Sequence, residues 1–160
     1  NKDYDLIKEY ILNDSPLYGY NKPKLWVHSI YEINSRKWES FQSRNNNDLN
    51  QPYLNYTIQS LINKCSKDFH ICLIDDNSFS KLIPGYDRNV GNMPEPLKTQ
   101  YREVAMLELL YLYGGMIVPN SFLCMTNLNE LYNELIQLKK PFIFEKVNKY
   151  CNLKEGKKMD

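Results

Sequence analysis

The feature that most constrains the fold is a change of period at Gly114-Gly115. Upstream, from Leu97 to Tyr113, the apolar side chains Tyr101, Ala105, Leu109 and Leu112 recur near the helical repeat, with Leu107 and Leu110 widening the stripe. Downstream, Met116 to Val118 is a short apolar run suited to a buried strand. The glycines end the helix because glycine takes the left-handed conformation without a Cβ clash. A helix delivered by a tight turn into a strand is the repeating unit of an α/β sheet.

The rest of the chain repeats the alternation. Residues 3–12 carry a helical stripe of Tyr4, Leu6, Ile7, Tyr10 and Ile11, closed by Asn13-Asp14-Ser15-Pro16. Residues 24–31 are apolar and β-branched or aromatic enough for a buried strand. The polar, Asn-punctuated stretch 34–50 reads as a loop or a short broken helix. A second stripe, Leu54, Ile58, Leu61 and Ile62, predicts a helix over 51–65, capped by Asp48 or Asn50. Phe69 to Asp75 predicts a second strand, 78–83 a single helical turn capped by Asp76 or Asn77, and 84–96 a long loop. Asn127 or Asn129 caps a further helix through Leu138, and 141–145, PFIFE, reads as a fourth strand. Strands alternating with helices predict an α/β fold with a mainly parallel sheet, and ligands of such sheets bind at the carboxyl ends of the strands. Here those ends are His28 to Tyr31, Asp75-Asp76, Pro119 to Ser121 and Glu145 to Val147.

Composition excludes several classes of function. Twenty basic and nineteen acidic side chains leave a net charge of +1, no electrostatic ground for binding nucleic acid or an anionic membrane. No run of apolar residues is long enough to span a bilayer. Neither a dinucleotide-binding G-x-G-x-x-G nor a P-loop is present. Cys65, Cys72, Cys124 and Cys151 form no C-x-x-C pair, and His28 and His70 complete no zinc spacing. The thiols read as buried and reduced, which fits a reducing compartment better than secretion. A start at Asn1 and a polar finish over 155–160 read as a piece of a longer protein.

Three segments resemble the glycosyltransferase family whose sugar-binding region carries a D-x-D motif, a family that includes initiation mannosyltransferases, capsular polysaccharide enzymes and glucosylating toxins. Pro23 to Tyr31 is similar to its opening strand P-K-I-I-H-Q-I-W, with about one residue of offset. Phe69 to Asp75 is similar to its second strand, and Leu109 to Val118, LLYLYGGMIV, to its L-L-Y-x-Y-G-G-I-Y-L. The resemblance implies a GT-A-like (Rossmann-like) fold with helices on both faces of the sheet. It divides the chain into an N-terminal helix and connector (1–22), a nucleotide-sugar domain (23–145) and a polar tail continuing into a missing segment (146–160).

The chain departs from the family at the functional positions. Aligning Gly114 and Gly115 places the two motif aspartates at Pro119 and Ser121, flanking Asn120, and the uridine-side tyrosine at Ile117. The family's sugar-binding aspartate falls at Glu103 and its phosphate-facing arginine at Met106. Arg102 lies on the same helix face as Met106, about 6 Å along the axis. Divalent metals need hard oxygen ligands, and proline and serine supply no carboxylate. The resemblance therefore implies that the family's Mn/Mg site is lost and that no cofactor is expected.

If a nucleotide sugar binds, the donor-binding candidates are His28, Tyr31, Asp75, Asp76, Arg102 and Glu103. Glu103 would hold sugar hydroxyls, Arg102 the diphosphate, and Asp75-Asp76 a metal or a ribose. Arg36, Lys37 and Arg44 are further basic candidates, Tyr31 and Trp38 candidates for stacking on a base, and Trp26 a core residue. The expectation is a divergent glycosyltransferase-like domain, catalytically impaired or metal-independent. The alternative is a non-catalytic structural or partner-binding domain on the same fold. Members from large DNA viruses of protists look similar, with G-G-x-x-V-P in place of the acidic motif, and for those a role in the particle stands beside catalysis.

Overall fold

The computed structural model describes residues 21–29 and 53–144. The predicted helix over 3–12, the 34–50 stretch with Arg36, Lys37, Trp38 and Arg44, the Asp48 or Asn50 cap, Tyr31, Cys151, the strand end from Glu145 and the polar tail lie outside those residues. The chain divides into two units, Asn1–Asn129 and Glu130–Asp160.

The first unit is built on β1 (Lys24–His28), α1 (Tyr53–Cys65), β2 (His70–Ile74), α2 (Ser78–Leu82), a 3-10 turn (Val90–Asn92), α3 (Leu97–Tyr113) and β3 (Met116–Ile117). The sheet order is β2-β1-β3, and both pairings are parallel. The fold is therefore α/β. In register, Lys24 stands opposite His70, His28 opposite Ile74, and Leu25 opposite Met116. Parallel strands need long crossovers, and α1 and α3 lie in those connections.

The central strand is buried on both faces, from Lys24 through Val27, as expected of a parallel sheet with helices on each side. Trp26, Cys72 and Ile74 point to one face, where they pack with Phe79, Leu82 and Ile83 of the α2 region and Ala105, Met106 and Leu109 of α3. Leu25, Val27, Ile71 and Leu73 alternate to the other face and are also buried. The helix α1, which touches β2, contributes nothing to the Trp26 cluster; its own buried stripe is Leu54, Ile58, Leu61, Ile62 and Cys65.

Helix α3 follows the predicted bounds. Its buried face is Ala105, Met106 and Leu109, however, and Leu112 and Leu107 stand in solvent, the latter 61% exposed. With apolar residues all round the last two turns, only the neighbours decide which of them are covered. Gly114 closes the helix at φ 68°, its N–H donating to the Leu110 carbonyl. Gly115, at φ 99°, passes so close to β1 that a Cβ there would lie 2.1 Å from the Lys24 carbonyl oxygen. The Trp26 indole N–H donates to the Gly114 carbonyl at 2.9 Å, joining β1 to the turn.

Two local expectations change. The strand predicted over 24–31 ends at His28 within the described residues, although the Ser29 N–H still donates to the Ile74 carbonyl. The fourth strand is not formed at 141–144. In that second unit, after α4 (Asn129–Gln137), Ile143 is 95% exposed and Phe142 stacks edge-on against Phe144. An apolar run becomes a strand only where a neighbour takes its backbone hydrogen bonds, and this one satisfies its aromatic rings locally. No helix among the described residues is long and apolar enough to cross a membrane.

Candidate functional site

The carboxyl ends of the strands come together around Asp76. Asp76 lies two residues beyond β2 and His28 ends β1, which the parallel register sets side by side. Arg102 reaches the same point from α3. Its Nε and Nη2 donate to Asp76 Oδ1 and Oδ2 at 2.7 and 2.6 Å, a two-pronged match of guanidinium and carboxylate. His28 Nε2 lies 2.9 Å from Asp76 Oδ1. Because the carboxylate only accepts, Nε2 carries the proton. Phe79 stacks under the imidazole, ring centroids 5.6 Å apart and planes 5° from parallel.

The electrostatics follow from this packing. Burial pushes His28 below the ordinary histidine value despite the attraction of Asp76, so the ring is neutral at pH 7. Burial alone would raise Asp76, but the Arg102 hydrogen bonds and charge, with His28 beside them, hold its carboxyl below the usual range. The bond to Asp76 in turn raises Arg102. The cluster is thus one charge pair with a neutral histidine attached.

A pH dependence follows. His28 and His70 both have depressed values, in each case chiefly through burial, so the unfolded chain takes up protons at a higher pH than the folded one. Stability is complete above about pH 6.5 and falls as the pH drops below it, by at most about 1.4 kcal/mol per pH unit for each histidine. The Asp76 contribution is lost only further down, below about pH 4, as the pH passes its folded value. Melting temperatures from pH 8 to 5 should decline below 6.5, and His28→Gln should flatten part of that decline while His70 keeps the rest. An unchanged profile in His28→Gln would show that the imidazole is not held neutral.

Asp75 has a separate role. Its Oδ1 accepts from the N–H of Asn77, the N–H of Ser78 and the Ser78 hydroxyl, each at 3.0 Å. The cap expected from Asp76 or Asn77 is therefore supplied by Asp75, and the Asn77 side chain makes no capping bond. Adjacent residues leaving a strand point opposite ways, so one carboxylate turns to the helix and the other to Arg102. Glu103 is exposed on α3. Of the predicted residues, His28, Asp76 and Arg102 meet at one point.

At the end of β3, Asn120 is tied into the fold by neutral groups. Its carbonyl accepts from Thr57 Oγ1 at 2.8 Å, and its amide donates to Ser29 Oγ at 3.4 Å. Pro119 and Ser121 are exposed. Both strand-end carboxylates are engaged within the fold, and no group of three His, Cys, Asp or Glu side chains converges among the described residues.

Beside Asp76 lies a hollow of about 250 Å³, lined by Asn77, Ser80, Tyr86 and residues 87–91. The Tyr86 hydroxyl is buried and has no hydrogen-bond partner among the described residues. The Arg88 guanidinium stands 5.0 Å over the Tyr101 ring. Sequence reasoning passed over Tyr86 and Arg88 because they sit in a stretch legible only as loop. The available signal was an aromatic and a cation amid the Pro and Gly residues just beyond a strand end. The chain matches no known family profile, no curated protein and no solved structure.

Proposed function

We propose that this chain is a divergent GT-A-like domain that has kept the sheet of a nucleotide-sugar enzyme and gives no metal-dependent glycosyl transfer, serving instead as a non-catalytic domain for packing or partner binding. The observation that carries this reading is the saturation of Asp76. The strand-end carboxylate beside the hollow already holds both prongs of Arg102 and the imidazole of His28. A metal would have to displace a bidentate guanidinium, and a diphosphate would find that guanidinium already neutralised.

A second reading rests on the hollow. Arg88 lines it and supplies guanidinium donors for an anion without any metal, set against the carboxylates of Asp76 and Asp87 that line the same hollow. Calorimetric titration with UDP, GDP and their sugars, with and without Mn²⁺, separates the two. The first reading expects no heat from any of them. Micromolar binding indifferent to Mn²⁺ and lost in Arg88→Ala would establish the second, and binding that requires Mn²⁺ would overturn both.

A further inference from the structure

Cys65 and Cys124 lie 59 residues apart in sequence, with their sulfurs 3.6 Å apart in the fold. Both are buried free thiols. Cys65 is the last residue of α1, and Cys124 lies in the segment that follows β3. That segment is already fastened to α1 at two earlier points. Thr57 Oγ1 donates to the Asn120 carbonyl, and Ser60 Oγ accepts from the Cys124 N–H, each at 2.8 Å. Thr57, Ser60 and Cys65 thus form a row of attachments along α1, and the thiol pair is its third member. The Cys124 sulfur is also oriented by a hydrogen bond to the Thr126 carbonyl at 3.0 Å.

We propose that Cys65 and Cys124 are a cross-linking site, closing under oxidising conditions to a disulfide that clamps the segment after β3 onto the end of α1. Two sulfurs in van der Waals contact reach bonding distance by small side-chain rotations, without moving the backbone ties on either side. In this scheme Cys124 is the attacking thiol, because its chain neighbours Leu123 and Met125 are 53% and 74% exposed. With oxidised glutathione as oxidant, the deprotonated Cys124 sulfur attacks one glutathione sulfur and expels a glutathione thiolate. The deprotonated Cys65 sulfur then attacks Cys124 in that mixed disulfide and expels the second. Two protein thiols lose two protons and two electrons, and one glutathione disulfide becomes two thiols. Burial and the neighbouring thiol push Cys124 up to about 11, so the reaction is slow at neutral pH. Cys72, with no thiol beside it among the described residues and pushed up to about 12 by burial, is the internal control.

The test is a non-reducing peptide map of the whole chain after incubation with oxidised glutathione at pH 8.5, with thermal melts of the same samples. The expected result is a Cys65–Cys124 peptide pair, Cys72 still reduced, and a melting temperature about 10 °C higher that dithiothreitol reverses. Cys124→Ser should show neither the link nor the shift. The map on the unmodified chain stands even if that variant folds poorly. Only mixed glutathione disulfides, a link to Cys72 or Cys151 instead, or a link without a rise in melting temperature would overturn the proposal.

Discussion

Gly115→Ala is expected to unfold at a far lower urea concentration than the parent chain. Two costs add at this position. The added Cβ would sit 2.1 Å from the Lys24 carbonyl oxygen and 2.8 Å from its carbon, both backbone atoms of the central strand. Neither can rotate away, so β1 and β3 must part where Leu25 pairs with Met116. The φ of 99° adds strain for any residue with a side chain. Together the loss should reach at least about 4 kcal/mol, a large share of the stability of an ordinary small domain.

Two glycines separate the contributions. Gly85 has φ 74° but open space around its Cβ position, so Gly85→Ala should cost about 1 kcal/mol from strain alone. Gly91 has neither problem, and Gly91→Ala should fall within about 0.5 kcal/mol of the parent. Urea midpoints for the three variants should rank in that order. If Gly115→Ala unfolds near Gly85→Ala, the close approach of the turn to β1 is not real.

The punctuated parts of the fold were legible in the sequence. Helix α3 runs over the predicted 97–113 because Pro96 and Gly114 bracket it and glycine ends it by its own backbone freedom. Strand β2 and helix α1 sit within two residues of their predicted ends, since each has one clear apolar pattern. The run 141–145 was not legible, because composition cannot supply the neighbouring strand that makes a strand. The site was half legible. Strand ends pointed to His28 and Asp75-Asp76, and the family resemblance, through the helix face shared with Met106, to Arg102, but their meeting depends on register across 48 and 26 residues of chain. Nor does sequence divide labour between two adjacent aspartates. That needs the direction in which each leaves β2, which gives Asp75 to α2 and Asp76 to Arg102. The thiol pair was invisible for the same reason: Cys65 and Cys124 lie on elements whose packing no local pattern records.

The second large effect is expected from Asp76→Ala. The substitution strands the Arg102 guanidinium beside a neutral imidazole, in a site where Asp76 and Arg102 side chains are 16% and 19% exposed. A charge left without its partner at that depth costs more than the pair was worth, so the variant should lose about 3 kcal/mol in chemical denaturation. Arg102→Met, which leaves Asp76 with only His28 as a donor, should cost about 2 kcal/mol. The double variant removes both charges and should cost clearly less than the sum of the two, with a coupling of about 2 kcal/mol. Additive losses would mean that the ion pair contributes nothing beyond two independent surface charges, and the strand ends would then be open to an anionic ligand. The cycle therefore bears directly on function. A strong coupling shows the cluster closed on itself, and that closure is the physical ground for reading this sheet as a scaffold.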